Sequence, residues 1–253
     1  MRKNVVIFDL DETIGYFSQL SVFMSYIEVY LNREFTEKEF KVLLDIFPEV
    51  FRPDIFIILN YLKQEKKKNK NLKVIIYTNN NGPKQWTYSI KRYIENKINS
   101  KIFDRSILAW KVDGNQYEKC RTTHNKTYND LLRCGKFSKR DKFCFLDDAY
   151  HKKMIHKQIY YINLYKYKHK FSYEEMFNRL LNSKLDIINK QDSKKILSDI
   201  MEDNSNRFIE QILKRKYDKK EILNEIKLFL NKNRLTRKNK LKTNKRKTFK
   251  VKI

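Results

Sequence analysis

The sequence has no long uncharged apolar run, and it contains few histidines and few cysteines. A membrane-spanning helix needs about 18 or more consecutive apolar residues, and because no such stretch exists we expect no membrane partner. Only four histidines are present, without the paired spacing of zinc ligands, which argues against a structural zinc site. Residues 1–4 lead straight into an apolar segment, with no cleavage site of a secretory signal behind them.

The cysteines are odd in number and form no Cys-x-x-Cys pair. This pattern, with Cys120, Cys134 and Cys144 spread along the second half of the chain, is typical of proteins in a reducing compartment. Together with the missing secretory signal, it predicts an intracellular protein of the cytoplasm or the nucleus.

Acidic residues are scarce relative to basic ones: 30 Asp and Glu face 56 Lys and Arg, which gives a net charge of +26. An A/T-rich genome also over-supplies lysine, so nucleotide bias accounts for part of this charge. The distribution is more informative, because the segment 231–253 carries only basic charges and shows little apolar periodicity. We predict a disordered basic tail there, which would bind nucleic acid or an import receptor, or would simply be solvated.

Short apolar runs alternate with helical patterns in the first two thirds of the chain. Strands are predicted at 5–8, 73–77, 105–110, 142–146 and 158–163, and helices at 18–32, 36–47, 55–62, 83–98 and 126–132. This alternation predicts an α/β fold, a three-layer sandwich around a mostly parallel, Rossmann-like sheet.

The same patterns divide the chain into parts. Residues 1–170 are predicted to form the catalytic domain, with a small helical insert at 16–50 after the first strand. Residues 171–230 show only helical periodicity, with a start signal at Ser172 and another at Asp218, and are predicted to be a helical extension.

Three of the predicted strands are followed by residues whose side chains can take part in catalysis or metal binding. Asp9 and Asp11 follow the first strand, Thr78 follows the second, and Asp147 and Asp148 follow the fourth. In an open α/β sheet, ligands bind beyond the carboxyl ends of the strands, so one parallel sheet would bring these groups to the same edge. Carboxylates gathered there repel each other unless a hard cation joins them, and oxygen ligands suit Mg²⁺. The sequence therefore predicts a magnesium site.

These segments resemble the motifs of the haloacid-dehalogenase superfamily. The hexapeptide Phe-Asp-Leu-Asp-Glu-Thr at 8–13 resembles motif I, Tyr-Thr-Asn at 77–79 resembles motif II, and Phe-Leu-Asp-Asp at 145–148 resembles motif IV. The resemblance covers roughly residues 4–165. It implies a phosphatase with the superfamily's sheet and with Mg²⁺ as cofactor.

Within the superfamily, the chain is most similar to the small C-terminal-domain phosphatases and the nuclear-LIM-interactor-interacting-factor-like proteins. The shared marks are Asp-Glu-Thr-Ile in motif I, Arg52-Pro53 before a helix, and the segment 126–132 as motif III. The helical stretch 18–47 departs from the short flap of that branch, and the interval between Lys126 and motif IV is longer than usual there.

The first two carboxylates take the roles of nucleophile and proton donor under this interpretation. A carboxylate with an ordinary pKa of about 3.9 is ionised near neutral pH, so Asp9 would attack phosphorus and carry the phosphoryl group as an aspartyl-phosphate. Asp11, which can face the same way as Asp9, would protonate the leaving oxygen and then take a proton from the hydrolytic water.

The remaining residues would hold the phosphate and the metal. Thr78 and Asn79 would bind phosphoryl oxygens, and Lys126 would neutralise the charge that builds on them. Asp147 would ligate Mg²⁺ together with Asp9, and Asp148 would either ligate the ion directly or orient a water bound to it. The resemblance implies that Asp11 adds its backbone carbonyl.

Each of these residues could also have a purely structural or unrelated role. Asp-x-Asp-x-Thr alone could be a calcium loop, but that loop needs Gly and Glu where this chain has Ile14 and Leu20. Thr78 could be a turn residue, and Asp148 could cap the next segment. His124 and His151 flank motifs III and IV, and each is more often a surface or supporting residue than a proton donor.

The lysine of motif III is open between three positions. Lys126 stands where the motif predicts it, but Lys136 and Lys139 lie closer to motif IV along the chain. The sequence alone does not choose among them.

We therefore expect a Mg²⁺-dependent phosphomonoester hydrolase that acts on a phosphoserine or phosphothreonine protein. Two alternatives remain. A nucleic-acid end phosphatase would use the same site and would give the lysines a direct purpose. A catalytically idle module that binds nucleic acid or protein is disfavoured by the intact set of carboxylates.

Overall fold

The computed structural model describes residues 2–204 and 221–233. The predicted helix start at Asp218 and residues 234–253 of the predicted basic tail lie outside the described residues. Residues 231–233, which the prediction assigned to the tail, are helical.

A five-stranded parallel sheet forms the centre of the fold, with the strand order β3-β2-β1-β6-β7. A separate antiparallel pair is formed by β4 and β5. In chain order the strands are β1 (Asn4–Phe8), β2 (Leu72–Tyr77), β3 (Arg105–Ile107), β4 (Lys111–Val112), β5 (Asn115–Gln116), β6 (Lys142–Asp147) and β7 (Ile159–Asn163). The predicted α/β class with a parallel sheet is confirmed.

Helices connect and cover the strands. They are α1 (Ser18–Leu31), α2 (Glu37–Ile46), α3 (Ile55–Lys68), α4 (Lys84–Lys97), α5 (Tyr128–Gly135), α6 (Tyr173–Leu181), α7 (Lys190–Asn204) and α8 at 221–233. The capping box at Thr36 is present, with Glu39 closing it from the third position of α2. Ser172 likewise caps α6 through its side chain, as its start signal predicts.

Three element boundaries differ from the prediction. The strand predicted at 105–110 ends at Ile107, and the chain after it turns into the β4–β5 hairpin. Helix α3 continues through the lysine-rich segment to Lys68, because a run of lysines is compatible with helix and suits its C-terminal end. Helix α5 begins at Tyr128, since Thr127 is its N-cap.

The two faces of the sheet are covered unequally. Side chains alternate along β1, so that Val6 and Phe8 face one core while Val5 and Ile7 face the other. The larger core takes side chains from all described helices except α5, and the smaller core is closed by α5. The insert helices α1 and α2 are therefore packed into the same core as the sheet.

The register of the central strands determines where the sheet edge lies. Phe8, the last residue of β1, pairs with Ile76 on one side and with Leu146 on the other. Because all three strands end together, the residues that follow them emerge side by side. Within the described part of the chain, no helix combines the length and the apolar character needed to cross a membrane.

Two of the three cysteines are paired, which the sequence pattern did not predict. A disulfide links Cys120 to Cys134, and Cys144 is free and buried in β6. The pairing could not be read from the sequence, because it depends on α5 folding back toward the loop that precedes it. Burial raises the pKa of the Cys144 thiol, which makes it unreactive in the folded protein.

The cysteine pairing predicts an alkylation pattern. In denaturant without reductant, iodoacetamide should modify one cysteine per chain, and after reduction it should modify three, because a disulfide does not react. Intact mass spectrometry counts the additions. Cys144→Ser serves as the control and should give none and then two, whereas three additions without reductant would show that the thiols are not joined.

Candidate active site

Three carboxylates meet at the carboxyl ends of β1 and β6. Asp9 follows β1 directly, and its backbone N–H donates to the Leu146 carbonyl at 2.9 Å. Asp147 is the last residue of β6, and Asp148 follows it. Single oxygens of the three side chains lie within 4.8 Å of one another. The structure thus brings together three of the residues that the sequence predicts as metal ligands.

Lys126 lies between two of these carboxylates. Its Nζ is 2.5 Å from Oδ1 of Asp9 and 2.7 Å from Oδ2 of Asp147, and its side chain is 2% exposed. By contrast, Lys136 and Lys139 are exposed beyond the end of α5. Of the three lysines that the sequence left open, Lys126 is the one that reaches the site.

Thr127, the residue after Lys126, is held by two hydrogen bonds. The Thr127 backbone N–H donates to the Tyr77 hydroxyl at 3.2 Å, and the Thr127 hydroxyl accepts from the backbone N–H of Asp130 as the N-cap of α5. These bonds fix the direction in which the lysine leaves the backbone, so its ammonium group points to the sheet edge.

The electrostatics of the cluster are dominated by burial. Burial and the neighbouring charge of Asp147 raise the pKa of Asp9 well above its usual value, although Lys126 opposes the rise. Burial would lower the pKa of Lys126, but the two carboxylates outweigh it and raise that pKa. One ammonium group is therefore shared by two buried carboxylates, and the cluster has an excess of negative charge.

Asp147 has partners that keep it ionised. Burial raises the pKa of Asp147, but hydrogen bonds with His151 and Lys126 outweigh burial and hold it below its usual value. His151 Nε2 lies 3.2 Å from Oδ2 of Asp147, and the Ala149 backbone N–H donates to Oδ1 at 2.9 Å. His151 is thus a supporting residue of the site. It contacts the Asp147 carboxylate and does not line the cleft beside Asp11.

Thr13 positions Asp148, a contact that sequence reasoning missed. The buried Thr13 hydroxyl donates to Oδ1 of Asp148 at 2.9 Å and accepts from its backbone N–H at 3.1 Å. Burial raises the pKa of Asp148, and the bond from Thr13 opposes the rise. The Thr of motif I was the available signal, but only the fold shows which group it contacts.

Asp11 lies beside the cluster and next to Asn80. Asn80 Nδ2 donates to Oδ2 of Asp11 at 2.9 Å, and the Asn80 backbone N–H donates to the Thr78 hydroxyl at 2.9 Å. Burial raises the pKa of Asp11, with the bond from Asn80 acting against it. Asn80 therefore connects the loop after β2 with the loop after β1.

The predicted phosphate-binding residues differ in position. Thr78 is buried directly after β2, and its hydroxyl accepts the Asn80 backbone N–H, so its phosphate-binding role stays a prediction. The Asn79 side chain is exposed at the mouth of a cleft, and it is the neighbouring Asn80 that reaches Asp11. Residues 79–81 are all asparagine, so the sequence does not indicate which of them contacts Asp11.

Two buried arginines hold the loops that carry these residues. Arg52 donates from Nε to the Thr13 carbonyl at 2.6 Å, and its terminal nitrogen reaches the carbonyls of Glu12 and Tyr165 at 2.5 and 2.8 Å. It thereby joins the loop after β1 to the chain beyond β7. The sequence marked Arg52 by its place before Pro53, without showing what it binds.

Arg121 does the same for the other side of the site. Its guanidinium donates to the carbonyls of Thr78, Leu108, His124 and Asn125 at 2.9–3.2 Å. Since these carbonyls belong to the loops after β2, after β3 and before α5, Arg121 holds the segment of Thr78 next to the segment that leads to Lys126.

A cleft of about 730 Å³ opens beside Asp11. One wall is formed by α1 and the start of α2, and the other by residues 79–83 and the start of α4. Of the predicted site residues, Asp11 and Asn79 line this cleft, so a substrate held there would place one end beside Asp11. Comparison of the chain with family models, with curated proteins and with solved structures gives no match.

The buried arginine contacts predict a stability effect. Arg52→Lys should lower the free energy of unfolding by about 1–3 kcal/mol, because an ammonium group cannot serve three carbonyls from the positions of the guanidinium nitrogens. Urea unfolding measures the change. The matched control is Arg92→Lys on the surface of α4, which should change little. Equal effects of the two substitutions would contradict the role assigned to Arg52.

Proposed function

We propose that the protein is a Mg²⁺-dependent phosphomonoester hydrolase that works through an aspartyl-phosphate. The observation that carries the proposal is the contact of Asp9 with Lys126 at the carboxyl end of the central strand. The second carboxyl group, that of Asp11 two residues further on, lies beside a cleft. A nucleophile, a cation to neutralise the phosphoryl oxygens and a proton donor are the three groups that this reaction needs. The resemblance to the haloacid-dehalogenase superfamily supports the same assignment.

The donor set fits the proposed cation. One carboxylate oxygen each of Asp9, Asp147 and Asp148 lie within 4.8 Å of one another, and hard oxygen ligands of this kind suit Mg²⁺. These three residues would hold the ion, with the backbone carbonyl of Asp11 added by the resemblance. When bound, Mg²⁺ would balance the excess negative charge and reduce the repulsion between a carboxylate and a phosphate.

The first half of the reaction forms the aspartyl-phosphate. A carboxylate oxygen of Asp9 forms a bond to phosphorus as the ester P–O bond breaks, and the leaving oxygen takes the proton of Asp11. The Lys126 ammonium and the Thr78 hydroxyl would face the phosphoryl oxygens and offset their growing charge.

The second half releases phosphate. Asp11, now ionised, takes a proton from a water molecule, whose oxygen forms the new bond to phosphorus as the bond to Asp9 breaks. Inorganic phosphate leaves and both carboxyl groups return to their starting states. The leaving group departs on the side of Asp11, which is the side on which the cleft lies.

The substrate class proposed from the resemblance is a phosphoserine or phosphothreonine protein. Residues 231–233 are helical, so of the basic tail predicted at 231–253 the part at 234–253 remains a prediction, as a contact for nucleic acid or an import receptor. The proposed reaction at the carboxyl ends of the strands does not depend on the tail or on the cellular compartment.

Removing the nucleophile tests the proposal. Asp9→Asn should reduce hydrolysis of an aryl phosphate to background, because the amide has nearly the same shape but cannot attack phosphorus. The control is Asp113→Asn in the exposed β4–β5 turn, which should keep full activity. Released phosphate is measured for both variants. More than a few per cent of residual activity in Asp9→Asn would exclude the proposed mechanism.

The same assay tests the cation. Hydrolysis by the unaltered protein should stop in a chelator and return with added Mg²⁺ but not with Zn²⁺ alone, because all proposed ligands are hard oxygens. Undiminished turnover in the chelator would contradict the proposed metal site.

A further inference from the structure

The cleft beside Asp11 has a charge opposite to that of the chain as a whole. Of all 253 residues, 56 are Lys or Arg, yet none of the 19 described residues that line the cleft is basic. Four of the 19 are acidic: Asp11, Glu28, Glu34 and Glu37. A surface that follows the composition of the chain would have several cations here, so the lining is not explained by composition.

The acidic side chains of the cleft differ in whether they already have a hydrogen-bond or ion-pair partner. Glu28 accepts the Phe35 backbone N–H at 2.8 Å, and Glu37 contacts Arg92, which lines a separate, smaller cleft. Glu34 is exposed at the cleft and makes no ion pair within the part of the chain that the structure describes. The Arg33 guanidinium next to it donates to the Glu34 backbone carbonyl at 3.1 Å and pairs with Glu39, which leaves the Glu34 carboxyl group open to a ligand in the cleft.

The rest of the lining offers apolar and neutral polar contacts. Phe40 of one wall and Trp86 of the other pack with their ring centroids 5.2 Å apart. Three serines of α1 line the first wall: Ser18, Ser21 and Ser25. Aromatic side chains next to hydroxyl and amide groups can hold both the side chains and the backbone of an extended peptide. A cleft of about 730 Å³ is large enough for several residues.

We infer that the leaving group held in this cleft is a polypeptide with lysine or arginine beside its phosphorylated residue, an inference that rests on the proposed function. The cleft lies on the side of Asp11, where the leaving group departs, so the glutamates of its lining face the substrate beyond the phosphate, whereas Asp11 is protonated at this stage and adds no charge. Positive side chains are attracted there. The phosphates of a nucleic-acid strand would be repelled by the same carboxylates, which disfavours an end-phosphatase activity at this site.

Two phosphopeptides that differ only in their flanking residues provide the test. One carries lysines beside the phosphoserine and the other carries glutamates at the same positions. The intact protein with Mg²⁺ should hydrolyse the lysine peptide with a kcat/KM at least tenfold higher. Assays at physiological ionic strength, where the Debye length is about 8 Å, limit the influence of distant surface lysines.

A matched pair of variants locates the preference in the cleft. Glu34→Gln should reduce the ratio of the two kcat/KM values severalfold, because it removes the exposed charge. Glu174→Gln, at an exposed position on α6, should leave the ratio unchanged. If Glu34→Gln has the same ratio of kcat/KM values as the unaltered protein, the charge of the cleft does not determine the preference and the inference is wrong.

The remaining outcomes separate the inference from the proposed function. If an aryl phosphate is hydrolysed but both peptides react equally, the inference fails and the proposed function stands. If a 3′- or 5′-phosphorylated oligonucleotide has a higher kcat/KM than the lysine peptide, the inference is overturned in favour of an end phosphatase. If no phosphate ester is hydrolysed in Mg²⁺, both are overturned.

Discussion

The Lys126 ammonium group between Asp9 and Asp147 is the contact on which the candidate site depends. Burying two carboxylates next to each other is unfavourable unless a cation pairs with them, and removing one partner of such a cluster typically costs about 3–5 kcal/mol. Several features of the fold serve this contact. The common register of β1 and β6 places the two aspartates side by side, and the cap of α5 directs the lysine toward them.

The loops of the site are held by arginines that donate to backbone carbonyls instead of pairing with acids. Arg52 joins the loop after β1 to the segment beyond β7, and Arg121 joins the loop after β2 to the loop before α5. A guanidinium group suits this task because its donors are fixed in one plane and spread over several directions. The loops are thus positioned by hydrogen bonds that do not compete for the charges of the reacting groups.

The sequence predicted those parts of the structure that depend on local pattern. The apolar runs of β1, β2 and β6 showed where strands end, and because parallel strands end at one edge, the meeting of Asp9, Thr78 and Asp147 followed. Contacts that depend on the path of the chain between elements could not be predicted. The choice of Asn80 over Asn79, the pairing of Cys120 with Cys134 and the acidic lining of the cleft are of this second kind. Each is decided by residues that are distant in sequence and carry no local signal.

The most direct test of the account is to find the phosphoryl group on the protein. Asp11→Asn should slow hydrolysis of the aspartyl-phosphate, so that brief incubation with an aryl phosphate and Mg²⁺, followed by acid quenching, traps it. Peptide mass spectrometry should then show one phosphoryl group on the peptide that contains Asp9, and hydroxylamine should remove it, as it does from acyl phosphates. A phosphoryl group on any other residue, or phosphate release with no phosphorylated protein at any time, would contradict the account.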